Sequence, residues 1–205
     1  MPSYRGPLRA VILDWAGTTV DFGCHAPVAV LRELFEREGV DITAEEARRH
    51  MGLLKEDHIR ALLGEPRVAG AWANRYGARP TERDVLRLFA SFAPRQIERL
   101  GEFSDVIPGV QEAVAQMRER GLRIGSTTGY TRPMLEPLLL RAAGQGYRPD
   151  ASVTPDEAGA GRPAPWMCFL NLIRLDAFPP AACVKIGDTP GTCTKAVTLE
   201  CGPWV

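Results

Sequence analysis

Three side chains in the first sixty residues have the types and spacing to do chemistry together: Asp14, Lys55 and His58. Asp14 closes the apolar run Ala10-Val11-Ile12-Leu13 and precedes Trp15-Ala16-Gly17-Thr18-Thr19, a pattern expected of a buried parallel strand delivering its last side chain to a loop. In doubly wound sheets ligands bind outside the carboxyl ends of the strands, so a carboxylate there is placed to act as a nucleophile. Lys55 follows the apolar, glycine-containing lead-in Met51-Gly52-Leu53-Leu54. A lysine desolvated in that setting has a depressed pKa and an amine ready to condense with a carbonyl. His58 lies three residues on, one helical turn away, where it shares a face with Lys55 and can move protons.

The elements that must position these residues can be read from periodicity. From Ala26 the pattern is helical, with Val28, Leu31, Leu34 and Phe35 on one face, and Gly39 ends that helix. Thr43-Ala44-Glu45-Glu46 reads as a cap with acids in the first turn of the next helix. Further helices are expected over 56–63, 66–76, 81–91 and 94–101, with no strand among them. Strand and helix then alternate: a helix from Pro108-Gly109 to Arg120, a strand over Leu122–Ser126, a helix from Arg132 to Ala143, and a short strand at Ala151–Val153. A helix from Pro165 to Leu175 and a strand over Cys183–Gly187 follow. An all-helical block between a first strand and renewed alternation predicts an inserted cap over 22–104, on an α/β core made of 1–21 and 105–205.

Composition narrows the partners. Of 205 residues, 45% are hydrophobic, enough for a sizeable core, and 25 basic residues balance 25 acidic ones. No charge excess recruits nucleic acid or an anionic membrane, and no apolar run reaches membrane-span length, so a small-molecule substrate is expected. The apolar run near the N-terminus is too short for a signal peptide, and five cysteines without paired or metal-type spacing suit reduced thiols, which points to the cytoplasm.

Four loops carry a resemblance. Asp14-Trp15-Ala16-Gly17-Thr18-Thr19, Gly125-Ser126-Thr127-Thr128-Gly129-Tyr130, Gly161-Arg162-Pro163 and Gly187-Asp188-Thr189 fall in the order of the loops of the haloacid dehalogenase superfamily. With Met51-Gly52-Leu53-Leu54-Lys55 and Asp57-His58 added, the chain resembles the phosphonatase (phosphonoacetaldehyde hydrolase) family over roughly residues 8 to 189. The resemblance implies a Rossmann-like parallel sheet of order 5-4-1-2-3, a helical cap, and a homodimer formed through that cap. It also implies cleavage of a carbon–phosphorus bond, with Asp14 as nucleophile and Lys55 as the imine-forming residue.

The same resemblance makes Thr128 and the Gly129 amide ligands of the phosphoryl oxygens, Arg162 the fixed cation and Met51 a cap residue reaching the site, with His58 a proton carrier. Cys24 and Tyr130 are placed to line the pocket. Magnesium is implied because a carboxylate attacking an anionic phosphonate meets like-charge repulsion; Asp14, the Ala16 carbonyl and Asp188 are its candidate ligands. Superfamily phosphatases carry a second aspartate two residues after the nucleophile to protonate an alkoxide. Here that position is Ala16.

After Pro190 the chain leaves the family pattern, which continues with an acid at position 192, then E-G-x-N-A-G-M and a final strand. Thr192 stands at the acid position. One allowed codon choice for Gly191 to Val205, read from the third base, encodes DMHEGRNAGMWTV, so the expectation is a frameshifted tail with the last core strand lost and a chain that is unstable and weakly active. A phosphatase or phosphomutase of the same superfamily, and an inactive truncated remnant, are the competing readings.

Overall fold

The computed structural model describes residues 5–22, 24–99 and 102–188. Four parallel strands form one sheet among them: β1 (Ala10–Asp14), β2 (Arg123–Thr127), β3 (Ala151–Val153) and β4 (Cys183–Ile186). They lie in the order β3-β2-β1-β4, four of the five positions expected from the resemblance. Every residue of β1 is buried, as a strand flanked by strands on both edges and helices on both faces requires. Strand order reverses at β1, since β2 and β3 extend the sheet on one side and β4 lies on the other. The carboxyl end of β1 is therefore a topological switch point, and Asp14 occupies it.

Between β1 and β2 the chain is helical: α1 (His25–Arg37), α2 (Ala44–Arg49), α3 (Lys55–Gly64), α4 (Pro66–Tyr76), α5 (Glu82–Arg99) and, beside the sheet, α6 (Val110–Glu119). The start of α1 is fixed from outside the helix, because the Asp21 carboxylate accepts from the backbone N–H groups of His25 and Ala26, each at 2.9 Å. Thr43 and Glu46 form a reciprocal capping box at the start of α2. The chain leaves and re-enters the sheet layer through neighbouring segments, where the Asp21 N–H donates to the Asp105 carbonyl and the Ile107 N–H to the Thr19 carbonyl.

One expectation fails here. The separate helices over 81–91 and 94–101 are a single α5 that runs through Pro94. Proline removes one intrahelical donor, but Val85, Leu88, Phe92 and Gln96 recur on one buried face on both sides of it. Burial of that continuous face against α1 and α3 outweighs the lost bond.

Helices α7 (Arg132–Gly144), α8 (Pro155–Ala158) and α9 (Trp166–Arg174) complete the α/β part. The tiny α8 was not legible in the sequence. Position 192 and the divergent tail lie outside the described residues. Among the described residues no helix is long and apolar enough to cross a membrane, and Cys24, Cys168 and Cys183 are free thiols.

Candidate active site

A cleft opens at the carboxyl end of β1, between the sheet loops and the start of α3. Its wall brings together Asp14, Ala16, Cys24, Met51, Lys55, Thr128, Gly129, Tyr130, Arg162 and Asp188, along with Pro27, Gly52 and Leu53. Ten sequence candidates thus converge from five separate stretches of chain. His58 is absent from this wall.

Asp14 is 4% exposed and its Oδ1 accepts from the Trp15 N–H at 2.9 Å and from the Arg162 guanidinium. The Asp14–Arg162 pair is almost fully buried, with both side chains at 5% exposure or less. Such a pair is worth having only when further groups satisfy it, and Arg162 also donates to the Gly52 carbonyl at 3.5 Å. That contact ties the α/β part to the loop preceding α3.

Asp188 reaches the cleft from the loop after β4. Its oxygens face the Thr18 hydroxyl at 3.5 Å and the Cys24 thiol at 3.3 Å. Burial and the neighbouring Asp188 push the Cys24 pKa well above its ordinary value, so Cys24 stays a neutral donor to that carboxylate. Gly17 makes the approach feasible: its φ is +83°, and a Cβ there would sit 2.1 Å from Asp188 Oδ2. The loop carrying the Ala16 carbonyl thereby closes on Asp188.

Two carboxylates and one carbonyl are hard oxygen donors, too few for an all-protein cage. That is the donor set magnesium favours, since it fills its octahedron with waters and phosphoryl oxygens. No cluster of three or more acidic, histidine or cysteine side chains suited to a metal occurs among the described residues.

Lys55 is the first residue of α3 and only 6% exposed. Its Nζ lies 3.9 Å from Met51 Sδ and 5.7 Å from the centre of the Tyr130 ring. Burial lowers its pKa to about 8, with Arg162 adding to the shift and the Asp14 and Asp21 carboxylates opposing it. Roughly a tenth of the amine is then neutral at pH 7, far more than for an ordinary lysine, and carbonyl condensation draws on that form.

Thr128 is buried, and its Oγ1 accepts from the Tyr130 N–H at 3.1 Å. That bond shapes the turn after β2 and presents Thr128 and Gly129 to the cleft.

His58 departs from the expectation. It is fully buried, and its Nε2 lies 2.9 Å from the Ala47 carbonyl, which requires a proton on that nitrogen. Burial, with Lys55 adding to the effect, lowers its pKa to about 3, so the ring is neutral. Although one turn separates it from Lys55, the ring is held under α2 by the Ala47 carbonyl, with the His50 ring edge-on at 6.2 Å between centroids, and it does not line the cleft. Sequence spacing places two residues on one side of a helix; it does not say whether both reach the same solvent.

Lys185 was missed. It is 7% exposed on β4, and burial lowers its pKa to about 8 against the pull of Asp14. The available signal was a charged residue inside the otherwise apolar strand Cys183-Val184-Lys185-Ile186.

A buried carboxylate at a switch point, paired with arginine and faced by a second carboxylate across a glycine turn, defines a hydrolase-type α/β site. The chain belongs to the haloacid dehalogenase-like hydrolases, an enzyme family whose model matches residues 8–191. It is 51% identical over 182 residues to phosphonoacetaldehyde hydrolase of Bacillus cereus, covering 89% of this chain and 69% of that protein. The same enzyme of Bacillus anthracis is 52% identical over an equal span. Among solved structures, a phosphonoacetaldehyde hydrolase-like protein from Oleispira antarctica is 39% identical with a TM-score of 0.92, over 95% of this chain and 70% of that one. A Lactobacillus plantarum protein assigned as a phosphoglycolate phosphatase, at 17% identity and TM-score 0.73 over 95% of this chain and 84% of that one, shares the fold.

Proposed function

We propose that this chain hydrolyses phosphonoacetaldehyde to acetaldehyde and phosphate, with the helical block 22–104 serving as a cap over the sheet loops. The observation that carries the reading is a buried lysine of lowered pKa facing the same cleft as Asp14 and Arg162, with alanine at position 16. The names of the relatives agree with it.

Carbon is a poor leaving atom from phosphorus because it departs as a carbanion. The neutral Lys55 amine condenses with the substrate aldehyde, losing water, and the protonated imine becomes an electron sink. Asp14 then attacks phosphorus. The carbon–phosphorus bond breaks, and its electron pair moves into the imine to give an enamine on Lys55 and an aspartyl phosphate on Asp14. Protonation of the enamine carbon and hydrolysis release acetaldehyde and free the lysine; a water opens the acyl phosphate and releases phosphate.

Arg162 and Thr128 supply fixed donors for the phosphoryl oxygens, and the buried setting strengthens them. Bound magnesium, held by Asp14, the Ala16 carbonyl and Asp188, would screen the repulsion between carboxylate and phosphonate. The neutral, tethered His58 supports the floor under Lys55 in this scheme, and proton transfers at the imine fall to water in the cleft.

A phosphatase reading needs an acid to protonate an alkoxide. Among the described residues the cleft holds only two carboxylates, Asp14 and Asp188, both already engaged, and Ala16 where that acid belongs. Borohydride reduction in the presence of phosphonoacetaldehyde tests the proposal. A covalent adduct by mass spectrometry, absent in Lys55→Arg, is the expected result; a folded chain that turns over phosphate esters and forms no adduct overturns it.

A further inference from the structure

Beneath Asp14 the sheet holds a second cation that the scheme above does not use. Cross-strand pairing sets Lys185 beside Ile12, two residues before Asp14. Side chains alternate between the faces of a strand, so Ile12 and Asp14 start from one face and Lys185 from the same one. Ile12 and Cys183 on that face pack with Cys168 and Leu172 of α9, which seals it from water. The residue level with Asp14 on the neighbouring chain, by continuation of the register past Leu13 and Ile186, is Gly187. With no side chain there, nothing on that chain stands between the Lys185 side chain and the Asp14 carboxylate.

A buried ammonium needs compensation, and Lys185 Nζ has one hydrogen bond among the described residues, to the Ile186 carbonyl at 3.2 Å. One neutral acceptor is poor exchange for a full hydration shell. The negative groups whose fields reach it are Asp14 and, more weakly, Asp188; Arg162 acts against them. A strand position flanked by Val184 and Ile186 would hold an aliphatic residue more cheaply.

We propose that Lys185 is a positioning residue for the nucleophile: a fixed cation, reached through the sheet and not through the cleft, that balances the negative charge gathered at Asp14 and holds its carboxylate in place during attack on phosphorus. Arg162 approaches Asp14 from the cleft side, so the carboxylate lies between two cations on different elements. This inference rests on Asp14 being the nucleophile, and its test is arranged to stand apart from that reading.

Lys185→Met keeps length and removes charge. In the full chain with magnesium and phosphonoacetaldehyde, kcat is expected to fall at least about tenfold while KM stays within about twofold, because ground-state binding groups are untouched. Retention of kcat within twofold overturns the proposal. The second measurement needs no turnover: thermal midpoints of wild type, Lys185→Met, Asp14→Asn and the double variant, all in EDTA so that bound cation does not differ. If Asp14 compensates the ammonium, Lys185→Met raises the midpoint more in the Asp14→Asn background than in wild type, by about 3 °C or more. Equal shifts in the two backgrounds overturn the proposal. Should Lys185→Met fail to fold, Lys185→Gln carries the same pair of readouts. Failure of wild-type turnover alone counts against the proposed reaction and leaves the midpoint comparison to decide this inference.

Discussion

Lys55 shows how one residue can be both costly and useful. Placed at the first turn of α3, near the positive end of the helix dipole, and buried beside Arg162, its charged form is disfavoured in the folded chain. The folded pKa of about 8 lies below the ordinary lysine value of 10.5. Below pH 8 both folded and unfolded chains hold the proton, and the full cost of burying the charge is present. Between pH 8 and 10.5 the unfolded chain keeps a proton that the folded chain has released, so stability rises with pH across this window. Lys55→Met is therefore expected to be more stable than wild type at pH 7, by up to roughly 3 kcal/mol. That advantage shrinks as pH rises from 8 towards 10.5. Urea melts of both proteins at pH 7 and pH 10 measure it, and a constant gap between them contradicts the assignment. On the proposed reaction the same substitution removes the amine that forms the imine, so the stability gained would be stability that function gives up.

At the scale of elements, the site depends on how closely the loop before α3 seats on the sheet loops. Gly161 lies under Leu54, and a Cβ built there would sit 2.4 Å from Leu54 Cγ and within 2.9 Å of both its methyl carbons. Gly161→Ala is expected to lift Leu54, and with it Lys55 at the next position. The expected loss is about tenfold or more in kcat/KM with a small change in thermal midpoint. Leu54→Ala in the same chain should recover most of the loss; failure of this rescue would show that the glycine serves some other need.

This seating was not legible in the sequence, because it depends on two segments about a hundred residues apart meeting in space. What was legible was local: the strand ending in Asp14, the capping box at Thr43, and the alternation of strand and helix after Pro108. The same local reasoning split α5 at Pro94, since proline's effect is visible in sequence and the compensating burial of Phe92 and Gln96 is not. It likewise passed over Lys185, whose meaning depends on the strand beside it, and gave His58 a reach that its packing against Ala47 denies.

In the whole molecule, the helical block and the sheet are not separate in their packing. One continuous cluster of buried side chains runs from Val11, Leu13 and Trp15 at the sheet through Leu31, Ile59 and Phe92 to Trp72 in α4, and on the other side to Leu135 in α7. A cap that hinges freely would need a seam in that cluster, and the described residues show a shared core in its place. Shared burial makes unfolding cooperative, because exposing either side of the contact removes area from both. Trp15 reports on the sheet and Trp72 on the helices, both 2% exposed or less. Versions of the chain retaining one or other tryptophan are expected to give coincident urea midpoints by fluorescence. Ile59→Ala, within the helical block, should destabilise by about 2–5 kcal/mol and lower both midpoints together. A helical midpoint that falls while the sheet midpoint stays fixed would mean that the block unfolds on its own, and that motion between the two layers is cheaper than their common core implies.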